Sequence, residues 1–142
     1  MSRHVALVIV CVAVIAQPAQ PQETVGASPL SPVGIERFLP VHTEAMRPGP
    51  FEAQKRRTGV SRPFFLIGCD DYSLGWLARN RERLRELRAF GLVVEAADAE
   101  AYGRLEAAAE GLLVRPVAGD LIAEHLGVQR YPALITSDGI FP

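Results

Sequence analysis

Pro63-Phe64-Phe65-Leu66-Ile67-Gly68-Cys69-Asp70-Asp71-Tyr72-Ser73-Leu74-Gly75-Trp76-Leu77 reads as a buried strand that turns directly into a helix. Phe64 to Ile67 is an unbroken apolar run closed by Gly68, without the polar alternation of a half-exposed strand, so it predicts a strand covered on both faces. Asp71 or Ser73 is placed to cap the following helix, whose apolar stripe is Leu74, Leu77, Leu84 and Leu87. Gly91 is expected to end that helix near Phe90.

The same alternation continues outward from this corner. Leu92-Val93-Val94 is a second apolar run, and Asp98 is placed to cap an Ala-rich helix with Leu105 inward. Leu112-Leu113-Val114 predicts a third strand; Asp120 opens a short helix with Leu121, Ile122 and Leu126 inward, closed by Gly127. Pro132 to Thr136 predicts a fourth strand, which Ser137-Asp138-Gly139 turns toward Ile140 and Phe141. Residues 63–142 are therefore expected to form an α/β domain, with a mostly parallel sheet flanked by helices and a C-terminal hairpin.

Two different kinds of chain precede that domain. Arg3 and His4 are followed by a 12-residue apolar run, Val5 to Ala16. A membrane-spanning helix needs about 20 apolar residues and a signal-peptide core about 7 to 15, so residues 1–16 read as an export signal cleaved after Ala16. A buried N-terminal strand is the other reading. Cys11 lies in the run, but Val10 stands where a lipoprotein signal needs a small residue, so Cys11 reads as a small hydrophobe. If the signal is removed, Cys69 is the only thiol left, and no internal disulfide can form. Residues 17–62 carry Pro18, Pro21, Pro29, Pro32, Pro40, Pro48 and Pro50 and read as an extended arm. It is either a flexible spacer or a segment whose Ile35, Phe38, Leu39, Val41 and Phe51 dock on the domain or on another protein.

Composition excludes more than it names. At 142 residues, with 49% hydrophobic and 22% charged, the chain has room for about one domain. Lys+Arg 15 against Asp+Glu 16 gives no overall basic field to hold DNA or RNA directly. With 2 Cys and 3 His, multi-Cys zinc modules and disulfide scaffolds are both excluded. His42 and His125 have no ligand partners at metal spacing, and Gly68-Cys69-Asp70-Asp71 puts carboxylates where a phosphate loop needs bare N–H groups. No cofactor and no small-molecule substrate is indicated, and the expectation is a protein that is not an enzyme.

Cys69 and Pro132 are the candidate functional residues of the domain. A cysteine at the end of a buried strand and a Tyr-Pro pair before a late strand resemble the thioredoxin fold, in which a cis proline faces the active-site thiol. A redox thioredoxin has a second Cys three positions on, where this chain has Tyr72, and Asp70 and Asp71 oppose ionisation of the Cys69 thiol. Cys69 is thus structural, a mixed-disulfide thiol or catalytic, and Pro132 cis or trans. The extra unit near Ala99 to Val114 makes the fold a thioredoxin-like variant or another doubly wound sheet. From Ser73 to Arg88 there are five Arg and two Glu, so Arg79, Arg83 and Arg85, with Trp76 at the stripe's edge, form a candidate partner surface. The plainer reading is a solvated helix face, with Trp76 in the core.

Five motifs are familiar in this order: Phe38-Leu39-Pro40-Val41 with Arg47-Pro48-Gly49; Arg62-Pro63-Phe64-Phe65-Leu66-Ile67-Gly68; Ser73-Leu74-Gly75-Trp76-Leu77; the Arg-rich helix with Gly91-Leu92-Val93-Val94; and Arg130-Tyr131-Pro132-Ala133-Leu134-Ile135. Together they resemble the integrating conjugative element proteins with a thioredoxin-like domain, a family of unassigned biochemical role. The resemblance implies an exported, periplasmic accessory of a conjugative, type IV secretion-like DNA transfer apparatus in a Gram-negative cell. Its partners would be envelope proteins of that apparatus, and it would touch the membrane only through an uncleaved signal. The competing expectation is a thiol–disulfide oxidoreductase or isomerase using Cys69.

Overall fold

The computed structural model describes residues 32–142; the signal 1–16 with Cys11, its expected cleavage site and the arm up to residue 31 lie outside the described residues. In chain order the elements are helix α1 (Pro32–Ile35) with a 3-10 turn (Glu36–Phe38), and strands β1 (Arg47–Pro48), β2 (Gln54–Lys55) and β3 (Phe64–Gly68). Helix α2 (Asp71–Glu86), β4 (Phe90–Glu95), α3 (Ala99–Ala109), β5 (Val114–Pro116) and α4 (Asp120–Leu126) follow. The chain closes with β6 (Arg130–Tyr131), β7 (Ala133–Thr136) and β8 (Gly139–Phe141).

The fold is α/β, with six strands in the order β2-β8-β7-β3-β4-β5. The expected parallel arrangement holds for β3, β4 and β5. The other half is antiparallel, β7 to β3, β8 to β7 and β2 to β8. The length of α4 explains the change of direction. Seven residues of helix span only about 10 Å, too little to carry the chain back along the sheet, so β7 starts from the end where β5 stopped. β1 pairs separately with β6.

Alternate residues of β3 enter two cores, one on each face of the sheet. Phe65 and Ile67 pack with Trp76, Leu77 and Leu84 of α2 and Tyr102 and Leu105 of α3. Leu66 packs on the other face with Ala123, Leu126, Tyr131 and Ile140. The segment read as an arm is, from Ile35 onward, part of this body. Ile35 and Val41 are buried in the first core and Met46 in the second, with Leu39 and Phe51 packed partly against them, while Phe38 stays exposed.

Several local expectations are corrected. Asp70, rather than Asp71 or Ser73, caps α2. The helix ends at Glu86, and Arg88 takes the left-handed conformation (φ 51°) that had been expected of a glycine. Gly91 sits inside β4, where a Cβ would lie 2.5 Å from Phe65 Cζ; it is there for close approach. The third strand begins at Val114, two residues later than its apolar run. Leu121 points outward, 78% exposed, because it stands about 200° round the helix from buried Ala123.

Candidate functional site

The C-terminal ends of parallel strands are where open α/β sheets bind ligands, since the connections diverge there and leave a crevice. In this chain that end is built around the β3–α2 corner. Asp70 Oδ1 accepts from Ser73 N–H (2.9 Å), and Oδ2 accepts from the Ser73 hydroxyl (2.8 Å). Ser73 Oγ in turn accepts from Gly68 N–H (3.2 Å), and Cys69 N–H donates to the Glu95 carbonyl (3.0 Å). The corner is therefore tied both to its own helix and to β4.

Pro132 is brought to the same end. Ala133 lies opposite Leu66 in the β3–β7 ladder, and the Tyr131–Pro132 peptide before it is cis. The Tyr131 ring covers Gly68 so closely that a Cβ there would lie 2.5 Å from Cε2. Cys69 and the Tyr131–Pro132 peptide, 62 residues apart in the chain at Pro132's preceding residue, thus share one corner of the molecule. The Cys69 thiol is half-buried, and burial pushes it up to about 11, with Asp70 adding in the same direction against a smaller opposing pull from Arg104. Tyr131 is pushed up to about 12, first by burial and then by Asp70 and Glu95. Both groups are held protonated at neutral pH.

The crevice itself is filled by residues 41–49. Val41 and Ala96 exchange both backbone hydrogen bonds (3.0 and 2.9 Å). Thr43 is fully buried; its hydroxyl donates to the Val94 carbonyl (2.8 Å) and accepts from Gly119 N–H (2.8 Å). His42 Nδ1 lies 2.7 Å from Glu95 Oε2, and Ala45 N–H donates to Asp120 Oδ1 (3.0 Å). Arg47 and Pro48 then run parallel to Arg130 and Tyr131, and Gly49 N–H donates to the Tyr131 carbonyl (3.0 Å). Thr43 and Glu95 were not singled out from the sequence, while Asp120 was read only as a helix start and Tyr131 only as the residue before Pro132. A lone Thr in a Pro-rich stretch carries no signal of the two backbone groups it bridges.

The candidate surface on α2 is divided by the structure. Trp76 is removed from it: the side chain is 5% exposed, with its ring 6.0 Å from that of Phe65, so it belongs to the core. Arg85 is engaged within the chain, bonding Glu82 Oε1 (2.6 Å) and the Glu110 carbonyl (2.9 Å). Arg79 and Arg83 are exposed and make no ion pair among the described residues.

Fold and site together define an α/β protein in which a segment preceding the sheet closes the end where a ligand crevice would open. The chain belongs to the DUF2859 family, a protein of unknown function, whose sequence profile matches residues 13–140. No curated protein and no solved structure matches it.

Proposed function

We propose that this protein is an exported, non-catalytic interaction module of a conjugative, type IV secretion-like DNA transfer apparatus of an integrating conjugative element. The observation that carries the non-catalytic reading is the occupation of the sheet's C-terminal end by Val41, Thr43 and Arg47–Gly49. Buried hydrogen bonds hold this segment in place, so the position where the fold would take a substrate is spent on internal cohesion. The conjugative setting rests on the order of motifs from Phe38 to Ile135, and the periplasmic location on the basic start and apolar run of residues 3–16. The thioredoxin-like assignment is supported by the β3–Cys69–α2 corner, to which the pairing of β7 with β3 brings Pro132.

A thiol–disulfide oxidoreductase would need the Cys69 thiolate, which burial and Asp70 oppose. At pH 8, Cys69 is expected to react with iodoacetamide about a hundredfold more slowly than a free thiol, the rate rising about tenfold per pH unit toward pH 11. Rapid alkylation at pH 7 would favour the oxidoreductase. The unfolded thiol ionises near 9.0 and the folded one near 11, so folding stability falls as pH rises through that window.

The interaction reading is tested by affinity capture of the protein from cells carrying the whole transfer apparatus. Recovery of envelope proteins encoded by the same element is the expected result. Recovery of none of them, from cells shown to be transferring DNA, overturns the proposal.

A further inference from the structure

Helix α4 forms one wall of a groove that the closed end of the sheet does not use. The groove has a volume of about 570 Å³, and Val60, Phe64, Leu121, Ile122 and Leu126 give it an apolar lining. Leu121 stands in that wall beside His125 and is 78% exposed, so the apolar surface is open to water along the helix. Cations border it at three points. Arg56 donates to the Leu126 carbonyl at the end of α4, and Arg57 lines a trench that shares Gly59 and Val60 with the groove. The Arg62 guanidinium lies 5.0 Å from the ring centroid of Phe90, which is itself 5.8 Å from that of Phe64. None of the three is ion-paired among the described residues. Asp138 is the one carboxylate lining groove or trench, while Asp120 and Glu124 line a separate hollow on the other flank of α4.

We propose that this groove docks a short segment of another protein, one that carries apolar side chains flanked by Asp or Glu. The lining calls for the apolar side chains. The cations call for the carboxylates, which would pair guanidiniums that now meet a carbonyl, an aromatic ring or water. Other occupants satisfy only part of this surface. A second copy of the chain would bring the same excess of cations to the contact. A nucleic acid would meet the cations and leave the aliphatic lining empty. A bilayer surface does not fill a hollow, and a lone acyl chain would lie half in water beside Leu121. The proposal goes beyond the conjugative reading and does not rest on it.

Selection of phage-displayed random peptides on the purified full chain tests it, followed by fluorescence anisotropy with the enriched peptide. The expected consensus is apolar residues flanked by Asp or Glu, binding with a Kd of about 1–100 μM. Leu121→Asp weakens that binding by at least about tenfold. Arg57→Glu and Arg62→Glu each weaken it by about three- to tenfold, chiefly at low salt. All three positions are exposed, and thermal unfolding checks that the variants keep their fold. Enrichment of no peptide, a basic or uncharged consensus, or binding that survives Leu121→Asp overturns the proposal. So does binding to phosphatidylglycerol vesicles that the same variants abolish, which would give the groove to a membrane.

Discussion

Phe65→Ala is expected to cost about 3–5 kcal/mol of folding free energy, the largest single effect anticipated in this protein. Phe65 is fully buried at the centre of the sheet, packs on Trp76, and fills the space left by the missing side chain of Gly91. Gly91→Ala alone would put a methyl 2.5 Å from Phe65 Cζ and 2.9 Å from Val114 Cγ1, an overpacking worth about 1–3 kcal/mol. The two changes should not add. With the Phe65 ring gone, the new methyl occupies part of the cavity, so the double variant should be more stable than the sum of the singles by about 1–3 kcal/mol. Urea denaturation of the four proteins measures this. Strict additivity would mean that the ring is not what confines position 91.

Thr43→Val follows at about 2–4 kcal/mol, although it changes the side-chain volume hardly at all. The loss is of hydrogen bonding: Gly119 N–H is left without its acceptor and the Val94 carbonyl without its hydroxyl donor, both buried. Thr43→Ser keeps both bonds and loses one methyl, a cost of about 1 kcal/mol. The pair therefore separates hydrogen bonding from packing. Thermal unfolding should place the Val variant roughly 10–20 °C below wild type and the Ser variant only a few degrees below it. A Val variant as stable as wild type, with the loss confined to the Ser variant, would show that the methyl, not the hydroxyl, holds the segment. Hydrogen exchange at Val41 and Ala96, whose amides bond each other's carbonyls, should accelerate in the Val variant.

The parts of the fold legible from sequence are those whose cause is local. Phe64 to Ile67 has to be a covered strand, because four consecutive apolar side chains alternate between two faces and both need burial. Asp98 capping α3 and Gly127 ending α4 in the left-handed conformation were likewise readable, since a cap acts within a turn of the residue that makes it. Where two causes competed, the reading slipped. Gly91 carries the signature of a helix stop, yet Arg88 takes that role, and the glycine is required by the Phe65 ring from a neighbouring strand. Leu121 has the composition of a core residue but not the phase of one. At the candidate site, Cys69 and Pro132 could be named in advance from their places beside strands, whereas Thr43, Glu95 and Asp120 could not.

The sequence by itself determined the α/β class, the order of the elements from Phe64 onward, and a thiol flanked by carboxylates at the end of a buried strand. Periodicity, caps and turn residues carry that information within a few positions. Tertiary structure alone decided that the sheet is mixed, that the Pro-rich segment closes it, and that burial adds to Asp70 in holding Cys69 protonated. The reason is range. The two bonds of Thr43 join residues 51 and 76 positions apart, and no local pattern specifies which distant carbonyl or amide a single hydroxyl will meet.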